Sequence, residues 1–143
     1  MARPEPALLD PARYPFRCAI DLRFGDLDLN MHVNNVAFAG LLEEGRVRFH
    51  RASGYRESLG PNSSVVASLA IEYLGEGRYP IPIAMHVAVL ALGRTSHTLA
   101  QLLMQEDQPI VFARTVLVTS GPDGPVALGP DFRESAQRWM LAA

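Results

Sequence analysis

Asp26-Leu27-Asp28-Leu29-Asn30-Met31-His32-Val33-Asn34-Asn35 places two carboxylates, one imidazole and three amides within ten residues. Polar groups this dense, next to an apolar segment, are costly unless something uses them. Upstream, residues 17–24 alternate, with Cys18, Ile20, Leu22 and Phe24 on one side and Arg17, Ala19, Asp21 and Arg23 on the other. A period of two is the mark of a half-buried strand, and Gly25 ends it. Downstream, Phe38, Leu41, Leu42, Gly45 and Phe49 recur at helical spacing as far as about Ala52, widened by Val36, Ala39, Gly40 and Val47. Asn34 or Asn35 suits the N-cap, and Ser53-Gly54 suits the stop. So broad an apolar sector predicts a largely enclosed helix. The ten residues therefore read as an active-site loop feeding the N-terminus of a buried helix.

Beyond a loop at residues 55–64, the pattern is strand after strand: 65–74, 83–92, 97–105 and 110–119. Turn signals separate them, among them Gly75, Gly77, Pro80 and Pro82, then Gly93-Arg94-Thr95-Ser96, then Glu106-Asp107-Gln108-Pro109. Pro130-Asp131 suits the first turn of a closing helix to about Met140. One strand, one long helix and a run of antiparallel strands make an α+β domain. Residues 83–92 are apolar on both faces apart from His86, so both faces need cover. The helix supplies one cover, and a homo-oligomeric partner is expected to supply the other. Residues 1–15 carry four prolines and read as a loose arm on a single domain spanning 1–143.

Composition narrows the partners. The chain has 48% hydrophobic residues and a net charge of −2, which speaks against nucleic acid or a membrane surface. All 13 basic residues are arginine, a usage read as genome composition. The single cysteine, Cys18, excludes an intramolecular disulfide and reads as a small buried hydrophobe. Residues 1–15 do not read as a signal peptide, and no apolar run is long enough to span a bilayer. The expectation is a soluble cytoplasmic protein. No histidine or cysteine pair has metal-ligand spacing, so no metal is expected.

Phe24-Gly25-Asp26-Leu27-Asp28, Asn30-x-His32-Val33-Asn34-Asn35, Phe38 and Glu43-x-x-Arg46 together resemble the opening of hot-dog-fold thioesterases. The likeness is greatest to the 4-hydroxybenzoyl-CoA thioesterase-like group and to plant acyl-ACP thioesterases. It implies a hot-dog fold, an antiparallel sheet wrapped around a long central helix, assembled as a homodimer or homotetramer. It implies hydrolysis of an acyl-CoA or acyl-ACP thioester, with no cofactor beyond the CoA or carrier pantetheine of the substrate itself. Asp28 matches the family's catalytic aspartate, and Asn30 and His32 match an assisting asparagine and histidine. Met31 departs from the glycine, and Phe38 from the tyrosine, that many relatives carry. The Gly93–Ser96 turn is similar to a polar hairpin near the pantetheine or phosphates, which makes Arg94 and Ser96 candidate substrate contacts.

Each residue also has a plainer reading. Asp28 could be a turn aspartate, Asn30 a turn cap and His32 a structural imidazole. Asp26 is expected to shape the loop or meet Arg23 or Arg46. Asn34, Asn35 and Val36 would present free N–H groups and the positive end of the helix dipole to a thioester carbonyl. Glu43 matches a helix carboxylate used by some relatives, but an i,i+3 pair with Arg46 is the expected arrangement. Tyr55, Leu59, Ile71 and Tyr73 are candidates for lining an acyl pocket. Competing readings are a hot-dog hydratase or dehydratase, whose Asp-x-Asn-Pro-x-His spacing differs by one residue, and a non-catalytic acyl-binding subunit.

Overall fold

A computed structural model of the chain describes residues 3–143. The elements are β1 (Phe16–Ile20), α1 (Asn35–Ala52), α2 (Tyr55–Ser58), β2 (Ser63–Tyr73), β3 (Ile83–Leu92), β4 (Ser96–Gln105), β5 (Gln108–Gly121), β6 (Gly124–Pro125) and α3 (Pro130–Ser135). The strands form one antiparallel sheet in the order β1-β3-β4-β5-β2, with β6 folded back on the end of β5. The long helix lies against its inner face. This is the hot-dog architecture.

Helix α1 starts where the cap residues predict. Asn34 is extended, and its Oδ1 accepts the Val36 N–H at 2.9 Å. The buried side of α1, with Phe38, Leu42 and Phe49, packs on Met85, Val87, Leu99 and Ala113 of the sheet. Gly45 sets the closest approach: a Cβ there would stand 2.7 Å from the Met85 sulfur. On the solvent side Arg48 Nε donates to Glu44 at 3.1 Å, and its Nη1 donates to the Ala19 carbonyl of the β1 edge at 3.0 Å.

Three expectations are corrected. Strand β1 ends at Ile20, and Phe24 sits in a 3₁₀ turn, 66% exposed. The alternation ran past the strand because Leu22 is buried from a loop. Residues 55–64 are not all loop, since Tyr55–Ser58 forms one helical turn. The described part of the proline-rich arm, residues 3–15, is not loose; residues 1 and 2 lie outside the described residues. It folds into 3₁₀ turns at Pro6–Leu9 and Pro11–Arg13, and Asp10 caps the second through the Ala12 N–H. Leu8 and Tyr14 are buried with Ala88, Ala100, Leu102 and Phe112 on the outer face of the sheet. The Tyr14 hydroxyl donates to the Leu8 carbonyl at 2.7 Å. The chain thus covers much of that apolar outer face itself, and the argument for an oligomer from the two-faced strand lapses.

Candidate active site

The polar loop is a tight turn held at its base. Leu27 bridges Val33, the Asp28 N–H donates to the His32 carbonyl at 2.9 Å, and the Met31 N–H donates to the Asp28 carbonyl at 3.1 Å. Inside the turn, Asp28 Oδ1 accepts the N–H groups of Asn30 at 2.8 Å and His32 at 3.3 Å. The turn reading of Asp28 is therefore real, but it uses one carboxylate oxygen. Oδ2 takes no hydrogen bond among the described residues. Met31 closes the turn at φ 61°, in the left-handed region that glycine occupies without strain.

Asp26 fixes the loop to the segment that follows β1. It is 5% exposed; its Oδ2 accepts the Arg23 N–H at 2.8 Å and its Oδ1 the Arg23 guanidinium at 3.1 Å. Burial alone would raise its pKa, but the Arg23 backbone N–H and guanidinium outweigh that and hold the carboxyl below its usual range. Of the two expected partners, Arg23 is the one it meets. The Asp26 carbonyl accepts the Asn34 N–H at 2.7 Å, tying the loop to the cap of α1.

The connection between β2 and β3 supplies what sequence reading missed. The Val33 N–H donates to the Gly77 carbonyl at 2.9 Å, and His32 bridges Arg78. His32 Nε2 lies 3.2 Å from Glu76 Oε2, so the imidazole is oriented by a carboxylate 44 positions along the chain. Gly77 permits this docking, because a Cβ there would fall 2.8 Å from Val33 and 2.9 Å from Phe38. Gln105 holds the connection from behind, accepting the Arg78 N–H and donating to the Arg78 and Ile81 carbonyls. The Tyr73 hydroxyl donates to the Asn35 carbonyl at 2.9 Å. Glycines and prolines at residues 75–82 announced a turn; no local signal showed which loop it would meet.

Only one of the expected helix donors is free. The Asn34 N–H is used by Asp26 and the Val36 N–H by the Asn34 side chain, while Ala37 and Phe38 donate to the Asn34 carbonyl. That leaves the Asn35 N–H without an acceptor among the described residues. Exposed Leu29, Met31 and Val36 surround this end of α1, and an open cleft of about 760 Å³ runs between it and β1, past Arg23, Asn34 and Arg48.

Two expected arrangements do not form. Glu43 is exposed and makes no ion pair with Arg46 within 4 Å; Arg46 instead donates from Nη1 to Gln101 Oε1 at 3.3 Å. The pairing rule failed because i+3 spacing turned Arg46 into the sheet and left Glu43 outside. Arg94 and Ser96 are not gathered with Asp28. Arg94 sits in the β3–β4 turn and Ser96 begins β4; the Gly93 and Arg94 carbonyls of this turn accept from Arg133. Neighbouring His97 meets His50 near the C-terminal end of α1, opposite the Asp28 loop. Among the described residues no group of three or more His, Cys, Asp or Glu is arranged to hold a metal.

Residues 22–139 match the model of the thioesterase-like superfamily, and the chain belongs to that superfamily. It is similar in structure to a thioesterase of Thermus thermophilus solved with coenzyme A and zinc, with 28% identity, a TM-score of 0.78, and coverage of 87% of this chain and 94% of that one. A predicted thioesterase of Bacillus stearothermophilus has a TM-score of 0.80 at 20% identity over 90% of this chain and 98% of its own. The DHNA-CoA thioesterase of Staphylococcus aureus has 0.76 at 18% identity over 85% and 88%. No protein of curated function matches the sequence. Superfamily membership supports thioester hydrolysis as the chemistry of the site.

Proposed function

We propose that the protein hydrolyses an acyl-CoA or acyl-ACP thioester, with Asp28 as the general base or nucleophile. The observation that carries this reading is the unused Oδ2 of an otherwise anchored carboxylate, in a turn tied to a helix start whose Asn35 N–H is also unused. Asp28 would deprotonate water or attack the carbonyl carbon, while Asn35 N–H and the helix dipole would take the developing oxyanion charge. A thiolate leaves readily, so no strong acid is required. His32, oriented by Glu76, would position water or the thioester, and Asn30 stands exposed at the rim for the same task. Coenzyme A in the Thermus thermophilus neighbour supports CoA as the carrier.

A second copy of the chain is part of this reading. Strand β2 is an edge strand of 11 residues with one neighbour, and Val65, Val66, Leu69 and Tyr73 are exposed along it. A long apolar edge seeks another strand. Antiparallel pairing of β2 with its own copy would join the two sheets about a two-fold axis.

The test is thiol release from a panel of acyl-CoAs. Asn in place of Asp28 keeps the oxygen acceptor that Asn30 and His32 need but removes the base. Asp28→Asn is expected to fold normally and to lose at least about 100-fold in kcat/KM. Full activity in that variant would remove Asp28 from the chemistry, and enoyl-CoA hydration without thiol release would favour the hydratase reading.

A further inference from the structure

The groove between α1 and β2 contains a cation that the chain does not neutralise. Arg48 faces β1, and Arg46, about 200° away around the helix, faces the other side, toward β4 and β5. Arg46 is 5% exposed, and its Nη1 donates to Gln101 Oε1 at 3.3 Å. Gln101 is fully buried and cannot swing away, because its amide donates to the Leu42 carbonyl at 2.9 Å. A guanidinium has five N–H donors, and this bond is the one side-chain contact Arg46 makes among the described residues. No carboxylate lies within 4 Å of it there. Burial pulls its proton affinity down and nearby Glu43 pulls it up, yet Glu43 remains in solvent. Arginine keeps its charge under such conditions. None of the Arg46 nitrogens is both sealed from solvent and unpaired among the described residues, so the donors that Gln101 does not take open outward, where an anion would pair with them.

The surroundings indicate where the anion enters. On the inner face, strand register sets Tyr73 beside Val111, Ile71 beside Ala113, and Leu69 beside Thr115, in order away from the Asp28 end. Thr115 is fully buried, its hydroxyl has no partner, and it stands diagonal to Gln101. The groove thus carries apolar side chains toward the Asp28 end, where the Tyr73 hydroxyl reaches across to the Asn35 carbonyl, and turns polar midway. A cleft of about 350 Å³ opens beside Val47, the residue after Arg46, and is lined also by His50 and Tyr55.

We propose that this groove takes the acyl group of the substrate and that Arg46, with Thr115, binds a carboxylate at its distal end. The inference rests on the thioesterase reading for the position of the thioester. Leu42, level with the guanidinium, lies seven residues beyond Asn35, about 10 Å along the helix; an ω-carboxyacyl chain of roughly six to eight carbons spans that distance.

Thiol release from suberoyl-CoA and octanoyl-CoA tests it, since the two differ only in the terminal carboxylate. The wild type is expected to favour suberoyl-CoA in kcat/KM by about tenfold or more. Arg46→Met is expected to invert that ratio, and Arg46→Lys to restore part of it. A wild-type preference for octanoyl-CoA, or a ratio unmoved by Arg46→Met, overturns the inference and leaves the thioesterase standing. Loss of the dimer in Arg46→Met with the ratio unchanged assigns the missing carboxylate to a second copy, and also overturns it. If neither thioester is cleaved, the thioesterase reading is at fault. The groove is then judged by thermal shift: suberate must raise the wild-type Tm more than octanoate does, and must not do so in Arg46→Met. Equal shifts overturn it.

Discussion

His50 and His97 show how one residue pair ties stability to pH. Their Nε2 atoms are 2.9 Å apart in the core, so one ring donates and the other accepts, and both cannot be cationic. Burial, then the neighbouring His97 and Arg46 charges, push His50 down to about 3; burial pushes His97 down to about 4. An unfolded histidine titrates near 6.5. Below that pH the unfolded chain binds protons that the folded pair refuses, so stability is complete above about 6.5 and falls as pH falls toward 4. Each histidine contributes a slope of about 1.4 kcal/mol per pH unit in that window. Chemical denaturation between pH 4.5 and 7 measures it; a flat profile would rule out a neutral buried pair. At the Asp28 loop, Met31 illustrates a different residue-scale conflict. Its φ of 61° puts a side chain where the turn suits glycine. The turn holds that backbone conformation although a methionine side chain stands where glycine would be unstrained.

At the scale of elements, the candidate site forms where three segments converge. The loop positions Asp28, the start of α1 offers Asn35 N–H, and the Glu76–Arg78 connection buttresses His32. The placement of α1 depends on Gly45, whose missing Cβ lets the helix settle onto Met85 of β3. Alanine favours a helix over glycine by about 1 kcal/mol. Here the added methyl would meet the fully buried Met85 side chain, which must then shift within the core or push the helix off the sheet. Gly45→Ala is expected to lower stability by about 1–2 kcal/mol net, read from the denaturant midpoint. A more stable variant would mean that the helix does not approach β3 so closely. Because α1 carries the Asn35 donor, the same shift should also depress kcat.

For the whole molecule, the unfinished feature is the β2 edge. The outer face of the sheet is clothed by Leu8 and Tyr14 of the N-terminal arm, whereas β2 is open along its free side. Leu69 is 38% exposed in the protomer and would be enclosed in a β2-paired dimer. Leu69→Glu is therefore expected to leave the fold intact and, by light scattering, to be a monomer where the wild type forms the proposed β2-paired dimer. A variant that remains dimeric places the interface elsewhere.

The sequence by itself determined the order of the elements and singled out the loop of the candidate site. Periods of two and of 3.6 located the four later strands and α1, and residue chemistry singled out Asp28 as a candidate and Asn34 as a cap. Those signals are local: each reports which side of its own segment faces the interior, or which neighbours lie within one helical turn. The tertiary structure alone decided which distant segments meet. It brought Glu76 to His32, turned Arg46 to Gln101 rather than to Glu43, carried Arg94 and Ser96 to the far end of α1, and laid the proline-rich arm on the outer face. Such contacts arise from the order of strands in the sheet and the angle of the helix upon it, which no periodicity within a single segment encodes.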